Sequence, residues 1–254
     1  MSENIIINVN ENNISQYPPT CFLNPKNEGY IIKKEWLKKR FSEGMKIKLL
    51  YVEKEGKCNG FIEYVPGENA WRAVDAKGYM FIHCIWITPN NLKNMGYGSL
   101  LIKKCIKDAE SNGKYGVAVV TSEGPFMAGK DIFLKNGFKS VASTKPSFEL
   151  MVKKLKEGPL PKFLDWEKQL SKYQGLNIIF SYQCPWVARS IKELSEVAKK
   201  KGLKLKVNEL KNAKEAQNAP SIYASFNLIY NGELLVDHYI SNKRFENIIN
   251  KKIK

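Results

Sequence analysis

The residues best suited to chemistry form a short glycine turn, Lys93-Asn94-Met95-Gly96-Tyr97-Gly98-Ser99. An apolar run, Met80 to Ile87, precedes the turn, and apolar residues recur at helical spacing after it. This pattern predicts a strand, a turn and a helix. Because Gly96 and Gly98 carry no Cβ, backbone N–H groups can converge on an anion beside the positive end of the helix dipole. The turn therefore predicts a phosphate-binding site.

The spacing of the two glycines fits neither a Walker loop nor a dinucleotide fingerprint. The stretch resembles the acetyl-CoA signature of GNAT-type N-acetyltransferases, whose strand reads I-x-x-L-x-V-x-P and whose turn reads Q/R-x-x-G-x-G/A. The matching residues are Ile82, Ile85, Ile87 and Pro89 in the strand and Lys93, Gly96 and Gly98 in the turn. Lysine takes the Gln/Arg place, and one extra residue lies between the proline and the turn.

The resemblance implies an α/β (α+β) GNAT fold, with a mixed, mostly antiparallel central sheet flanked by helices. It also implies an N-acetyltransferase that uses acetyl-CoA as cosubstrate and a primary amine as acceptor. In this family the strand backbone binds the pantetheine arm and the turn binds the pyrophosphate. The coenzyme-binding residues that this implies are Ile85, Trp86, Ile87, Lys93, Asn94, Met95, Gly96, Tyr97, Gly98, Ser99 and Phe133.

His83, Glu63 and Cys84 are the catalytic candidates. Acetyl transfer to an amine needs a base for the ammonium proton, and an imidazole titrates near neutrality. His83 directly follows Ile82, where many relatives carry a carboxylate. A histidine in an apolar strand is also commonly a satisfied core group, so both interpretations stay open. Glu63 and Glu123 are further base candidates, with surface solvation as the alternative for each.

The proton donor for the CoA thiolate is where the chain departs from the family. The segment Phe133-Leu134-Lys135-Asn136-Gly137-Phe138 resembles the family's Y-x-x-x-G-F ending, so the usual tyrosine falls on Phe133, which has no proton to donate. The asparagine often found earlier falls on Phe126. Either Cys84, Ser122 or water protonates the thiolate, or turnover is slow. The same departures motivate an alternative function, a sensor or adaptor that binds acetyl-CoA without catalysis.

An insertion from Pro66 to Gly78 precedes the central strand, where GNAT proteins usually have a shorter link. It contains Trp71, Arg72 and Asp75. Two interpretations stay open: the insertion covers the acceptor site, or it is a decorated surface loop. Under the first, these residues would suit a polar, carboxylate-bearing acceptor.

A second module follows the first. The predicted organisation is a GNAT domain over residues 1–156, a linker over 157–171 and a further domain over 172–254. In the last range the order of elements is βαβ followed by ββα, with Cys184 opening the first helix and Pro220 preceding the third strand. This resembles the thioredoxin fold and implies a cis peptide bond at Pro220, facing Cys184. A GNAT module with such a tail resembles the YoaP-like acetyltransferases.

Cys184 lacks the partner of a dithiol motif, because the second cysteine position is Val187. A thiol at a helix N-terminus is stabilised as thiolate by the helix dipole, which suits monothiol exchange. The alternative is a thioredoxin-like fold kept for substrate docking or for homodimer formation, with an idle thiol.

Composition, charge and cysteine spacing indicate which partners and sites are not expected. The chain has 254 residues and a net charge of +16, but its lysines are dispersed and no nucleic-acid recognition motif is present, so nucleic acid is not an expected partner. No apolar run approaches the ~20 residues of a membrane span, and the polar N-terminus does not resemble a signal peptide, so a cytoplasmic protein with no membrane partner is expected. The five cysteines are scattered without metal-ligand spacing, so neither a metal site nor a disulfide framework is expected.

Overall fold

The computed structural model of the protein describes residues 5–17, 21 and 23–253. The ends of the predicted domains at residues 1–4 and 254 lie outside the described residues. The chain divides into two compact units, the first made of Met1–Cys21, Leu37–Ala70 and Val74–Phe163, the second of Phe22–Trp36, Trp71–Ala73 and Leu164–Lys254. These units differ from the predicted domains because residues 22–36 and 71–73 pack with the C-terminal residues.

The first unit is built on a seven-stranded sheet with the strand order β1-β2-β3-β5-β6-β8-β7. The strands are β1 Ile5–Val9, β2 Lys46–Val52, β3 Lys57–Pro66, β5 Tyr79–Ile87, β6 Gly116–Thr121, β7 Lys139–Thr144 and β8 Phe148–Lys154. In the described part of this sheet β5 and β6 pair in parallel and the other neighbours are antiparallel. The predicted mixed, mostly antiparallel sheet is therefore confirmed. Two short strands, β4 Val74–Asp75 and β9 Lys162–Phe163, form a separate pair.

The helices of this unit are residues 37–41 of α1 Glu28–Phe41, together with α2 Tyr97–Ser111 and α3 Asp131–Lys135. The apolar stripe predicted for α2 is buried, since Leu101, Ile102, Cys105 and Ala109 are all fully enclosed and pack in one core with residues of β3, β5 and β6. Helix α1 begins directly after Asn27, whose side-chain oxygen accepts a hydrogen bond from Gly29 N–H at 2.9 Å and caps the first turn.

A buried tyrosine ties α2 to the sheet. The Tyr64 hydroxyl donates to Asp108 Oδ2 at 2.6 Å, and Lys48 and Lys46 lie 3.2 and 3.3 Å from the same oxygen. Burial raises the pKa of Tyr64 far above its usual value, so the hydroxyl keeps its proton. Burial alone would also raise the pKa of Asp108, but the hydrogen bond from Tyr64 and the charge of Lys48 outweigh it and hold that pKa below its usual value.

Tyr64→Phe is expected to lower the free energy of unfolding by about 1–2 kcal/mol at pH 7, since it removes a hydrogen bond to a charged acceptor. A depressed carboxyl pKa contributes stability that is present above the unfolded-state value and is lost as the pH falls through the folded-state value. The difference between the two proteins should therefore shrink below about pH 4. Urea unfolding of the wild type, Tyr64→Phe, Asp108→Asn and the double variant, at pH 7 and in acid, measures the coupling between the two residues. A difference between wild type and Tyr64→Phe that widens in acid would contradict the prediction.

The second unit contains a four-stranded sheet with the order β11-β10-β12-β13. Its strands are β10 Leu176–Phe180, β11 Leu205–Glu209, β12 Phe226–Tyr230 and β13 Glu233–Val236, and its helices besides residues 28–36 of α1 are α4 Glu167–Leu170, α5 Val187–Lys200, α6 Ala213–Gln217 and α7 Asn242–Lys252. Strand β10 pairs in parallel with β11 and antiparallel with β12. The βαβ and ββα order is present; the thioredoxin-like assignment stays a prediction.

The segment before β12 does not have the predicted geometry. Among the described residues the cis X-Pro bonds are Thr88–Pro89 and Lys145–Pro146, so the prediction of a cis bond at Pro220 is wrong. The chain turns instead through Ala224, whose φ is 57°. Ser225 N–H donates to Tyr223 O at 2.7 Å and Ala224 N–H donates to Ser221 Oγ at 3.3 Å. The turn that leads into β12 therefore lies at Ala224, after Pro220, rather than at Pro220 itself.

Residues 70–74 of the insertion are buried, although Asp75 is exposed, so its interpretation as a decorated surface loop is wrong. Trp71 and Arg72 are 1% and 5% exposed. Within the second unit Trp71 lies edge-on to Trp36 with ring centroids 5.0 Å apart, and the Arg72 guanidinium donates to Gln183 Oε1 and stacks over the Tyr223 ring at 5.5 Å. A role over the acceptor site stays a prediction. None of the helices in the described ranges combines the length and apolar character needed to cross a membrane.

Candidate active site

The central strands of the first unit separate halfway along β5. Strand β5 pairs with β6 from Tyr79 opposite Gly116 to Ile82 opposite Val119, whereas its pairing with β3 continues to Ile87 opposite Gly60. Beyond Val119, β6 stays paired with β8 on its other side. The backbone of β5 after the separation is therefore paired with β3 alone among the described strands. Its remaining N–H and C=O groups can bind an extended polar chain.

The glycine turn follows this open stretch and is exposed to solvent. Gly96 immediately precedes α2 with φ 83° and ψ −6°, and Asn94 also has a positive φ, of 65°. A Cβ added to Gly96 would have no atom within 4 Å, so the left-handed backbone rather than crowding calls for glycine. No side chain caps the helix there. The first N–H groups of α2 and its positive dipole end are thus left to receive an anion.

Ser99 in the first turn of α2 is held by a residue that the sequence pattern did not single out. Asn136 Nδ2 donates to Ser99 Oγ at 2.9 Å and to Ile132 O at 2.7 Å. The serine oxygen thus accepts one hydrogen bond and keeps its own proton for another acceptor. Gly98 allows this approach, because a Cβ there would lie 2.4 Å from Ile132 Cδ1. The sequence did carry a signal for this role, because Asn136 lies inside the segment that resembles the Y-x-x-x-G-F ending.

Asn59 fixes the start of the turn and was also missed. It is fully buried, its backbone oxygen accepts from Thr88 N–H at 2.8 Å, and its Nδ2 donates to Thr88 O at 3.1 Å. It sits where the β2–β3 register shifts, between Leu50 opposite Gly60 and Tyr51 opposite Cys58. A polar residue next to a glycine inside an apolar strand was the sequence signal for such a bulge.

A second bulge places the catalytic candidates on one face of the sheet. Tyr64 pairs with Ile82 and Glu63 pairs with Cys84, so His83 is an extra residue in β5. Ile82 and Ile85 both pack in the core formed with α2. The two residues between them therefore face away from α2, on the same side as Glu63. The bulge explains why neighbours in sequence, His83 and Cys84, share a face.

The His83 and Glu63 side chains are enclosed, with relative exposures of 0% and 1%, and His83 Nδ1 lies 3.8 Å from Glu63 Oε1. Cys84 beside them is half-buried. The Phe81 ring meets the imidazole edge-on, with centroids 5.6 Å apart. Surface solvation is therefore the wrong interpretation for Glu63. Surface solvation is the right interpretation for Glu123, which is exposed and does not belong to the enclosed pair of His83 and Glu63.

The structure places the remaining predicted residues as follows. Phe133 is completely buried in the core and meets Phe138 edge-on at 5.4 Å, which leaves no surface of its ring for a coenzyme. Its predicted contact is corrected to a packing role, because α3 turns this side chain inward. Phe126 is 52% exposed. Ser122 is buried at the end of β6, with its hydroxyl 2.8 Å from that of Ser147.

Cys184 belongs to the second unit and lies three residues before α5 as a half-buried thiol. Its carbonyl accepts from Val187 N–H at 3.3 Å, and a Cβ on Gly29 would lie 2.0 Å from the oxygen of the adjacent Pro185. The segment is thus closely packed on one side. A redox role for this thiol stays a prediction. Within the described ranges no group of three or more His, Cys, Asp or Glu side chains could hold a metal ion.

Comparison with known proteins shows which proteins this chain is similar to. The chain is 29% identical over 251 residues to the protein named "Uncharacterized N-acetyltransferase YoaP" of Bacillus subtilis (strain 168), covering 96% of this chain and 98% of the relative. Similar solved structures include the PaiA N-acetyltransferase of Thermoplasma acidophilum in complex with coenzyme A, with 16% identity, a TM-score of 0.42 and coverage of 60% of this chain and 99% of that one. Another is YncA of Salmonella typhimurium with acetyl-CoA, with 16% identity, a TM-score of 0.45 and coverage of 63% and 99%.

Two family models match the chain. The YoaP-like model matches residues 204–247, and the model of the acetyltransferase (GNAT) family matches residues 12–138, which is half of the 254 residues and includes the open strand, the glycine turn and the His83 bulge. The mixed sheet described above agrees with this match. The chain therefore belongs to the acetyltransferase (GNAT) family.

Proposed function

We propose that the protein is an acetyl-CoA-dependent N-acetyltransferase that transfers acetyl to a primary amine of a small molecule or a protein. The observation that carries the proposal is the continuity of two features. Beyond Ile82, the side of β5 that pairs with no described strand leads through the short 3-10 helix Asn90–Leu92 into the exposed left-handed turn before α2. A long ligand with a polar amide arm and a diphosphate needs such a continuous path.

The residues of this path fit acetyl-CoA. The backbone of Ile85–Ile87 would bind the amide-containing arm, and Lys93–Ser99 would hold the diphosphate through N–H groups, the Lys93 charge and the Ser99 hydroxyl. Lys93 to Gly96 are exposed, so the turn is accessible to an anion from solvent. Phe133 would support this path from the core, where it packs with residues of α2, rather than by touching the coenzyme.

His83 is proposed as the base that takes the proton of the acceptor ammonium. Bound acetyl-CoA supplies the acetyl group on a thioester, and the amine nitrogen bonds to the carbonyl carbon as the carbon–sulfur bond breaks. The amine gives up a proton when its bond to the acetyl group forms, and the CoA thiolate takes up a proton when it leaves, so the protons balance. Cys84, on the same face as His83 and half-buried, is a proposed source of that second proton, because the tyrosine position of the family is Phe133.

Release of CoA tests the proposal directly. Purified full-length protein with acetyl-CoA and a panel of primary amines is expected to liberate free thiol, measured with a thiol-reactive dye, and to yield an amine heavier by one acetyl group in the mass spectrum. Reactions without amine control for hydrolysis. Acetyl-CoA that survives every amine, although calorimetry shows that it binds, would contradict the proposed transfer.

That contradictory outcome would favour the second candidate function, a sensor or adaptor that binds acetyl-CoA without turnover. The specific observation in its favour is that the residue at the family's tyrosine position is Phe133, whose buried ring carries no hydroxyl that could act as the acid. Coenzyme A is a fair leaving group, so we expect the missing acid to slow transfer rather than to prevent it.

A further inference from the structure

We propose that the Trp86 side chain forms one wall of the acceptor site and selects a primary amine that is joined through a short linker to an aromatic ring. The inference rests on the proposed function, since it names the class of acceptor for the same site. The backbone of Trp86 belongs to the open stretch of β5 that would bind the arm of acetyl-CoA. Its indole is the part assigned to the acceptor.

Strand geometry turns the indole to the face of the sheet that carries the proposed base. Ile85 and Ile87 both pack against the core formed with α2. Side chains alternate along a strand, so Trp86 between them faces away from α2. His83 and Cys84 also face away from α2, on the same strand. The indole therefore lies on the side of β5 from which the amine would reach the thioester.

Exposure along this face increases toward the glycine turn. Tyr79 and Phe81 are fully buried and His83 is 7% exposed, whereas Trp86 is 43% exposed. An indole offers a large, rigid apolar surface at low cost in side-chain entropy, which suits it to ligand contact where it is accessible. The face that encloses the proposed base is thus open to a ligand at Trp86.

The orientation of the indole separates its role from that of the backbone. The arm of the coenzyme would pair with the N–H and C=O groups of β5, which lie in the plane of the sheet. Side chains of a strand stand roughly perpendicular to that plane. The indole therefore projects beyond the level of the arm, toward the side on which the acceptor lies.

The spacing along β5 sets the length of the acceptor. Cys84 and Trp86 are two residues apart on the same face, which corresponds to about 7 Å along an extended strand. The amine nitrogen has to reach the thioester beside His83 and Cys84, so the group that contacts the indole would lie about 7 Å from that nitrogen. An aromatic ring on a short alkyl linker spans this distance and can pack on the indole.

Acceptor preference in the CoA-release assay tests the assignment. The wild type should use phenethylamine with a kcat/KM roughly 10-fold above that for ethylamine, which is too short to reach the indole. Trp86→Ala should raise the KM for phenethylamine roughly 10-fold and change the KM for ethylamine by less than about 2-fold. Trp86→Phe should keep most of the preference, because it keeps an aromatic surface at this position.

Calorimetry gives a second readout that does not need turnover. Phenethylamine titrated into full-length protein saturated with CoA should bind roughly 10-fold more weakly to Trp86→Ala than to the wild type, while the affinity for acetyl-CoA stays within about 2-fold. Trp186→Ala is the matched control, since Trp186 belongs to the second unit and is 36% exposed. It should change neither affinity, and thermal melting reports whether each variant folds.

The two possible failures are distinguishable. If the protein acetylates amines but does not prefer phenethylamine, or if Trp86→Ala weakens acetyl-CoA binding and leaves the preference intact, the role of the indole is overturned while the enzyme proposal stands. If phenethylamine binds in a way that depends on Trp86 but no amine is acetylated, the enzyme proposal fails and the binding site for the ring stands.

Discussion

Gly96→Val should abolish measurable acetyl-CoA binding. Valine is strongly disfavoured at φ 83°, and holding a residue in such a region costs about 1–3 kcal/mol. The turn would relax, and the N–H groups at the start of α2 would no longer converge. The new side chain would also fill the open space beside Gly96, which is where the diphosphate is expected. Isothermal calorimetry should show an affinity for acetyl-CoA at least about 100-fold weaker than that of the wild type, because the backbone strain and the lost diphosphate contacts both reduce it.

Gly56→Val is the matched control for this variant. Gly56 lies in the same unit, has φ 62° and would likewise have no atom within 4 Å of an added Cβ, so the backbone strain is similar. We expect it to lower the melting temperature but to bind acetyl-CoA normally. Equal losses in both variants would show that general destabilisation, rather than the turn, is responsible. Full binding by Gly96→Val would remove the basis for placing the diphosphate there.

The second large effect is expected from His83→Gln. A positioned base typically contributes a factor of about 100 to 10,000, so kcat should fall by at least about 100-fold. Affinity for acetyl-CoA should stay unchanged, because the imidazole lies on the face of β5 that points away from α2. Glutamine keeps hydrogen-bonding capacity in the enclosed site but cannot take up a proton near neutral pH. Stopped-time CoA release and calorimetry on the same preparation measure the two quantities.

His238→Gln provides the comparison for His83→Gln. His238, in the second unit, also lies beside a carboxylate, with Nδ1 2.8 Å from Asp237 Oδ1. The same chemical change there should leave turnover intact. If His83→Gln keeps full activity, His83 is the satisfied core group that its apolar strand also allowed, and Cys84 or water must carry the proton.

Local pattern was enough to predict the strand and the helix on the two sides of the glycine turn. The strand predicted as Met80–Ile87 is observed as Tyr79–Ile87, and the helix begins at Tyr97 directly after the turn. An apolar run and helical spacing are properties of short segments, so they can be recognised without knowing the partners of the segment. The mixed sheet followed from the family resemblance on these same residues.

Features that depend on distant pairing were not predictable in the same way. The bulge at His83 exists only in the register of β5 against β3, and the Asn136–Ser99 hydrogen bond joins residues 37 positions apart. A motif match also cannot tell which way a side chain points, which is why Phe133 was assigned to the coenzyme although its ring is buried. The sequence left two interpretations of the insertion open, because Trp71 and Arg72 pack against residues that are distant in the sequence.

The division of the second unit into three chain segments, 22–36, 71–73 and 164–254, has a consequence for synthesis on the ribosome. Its first segment is synthesised before its partners in residues 164–254, whereas the strands of the first unit are complete by residue 163. The second unit therefore cannot complete its own packing until its C-terminal segment has been made, after the sheet of the first unit is finished. A fragment that contains only the C-terminal residues would lack part of the packing of the second unit.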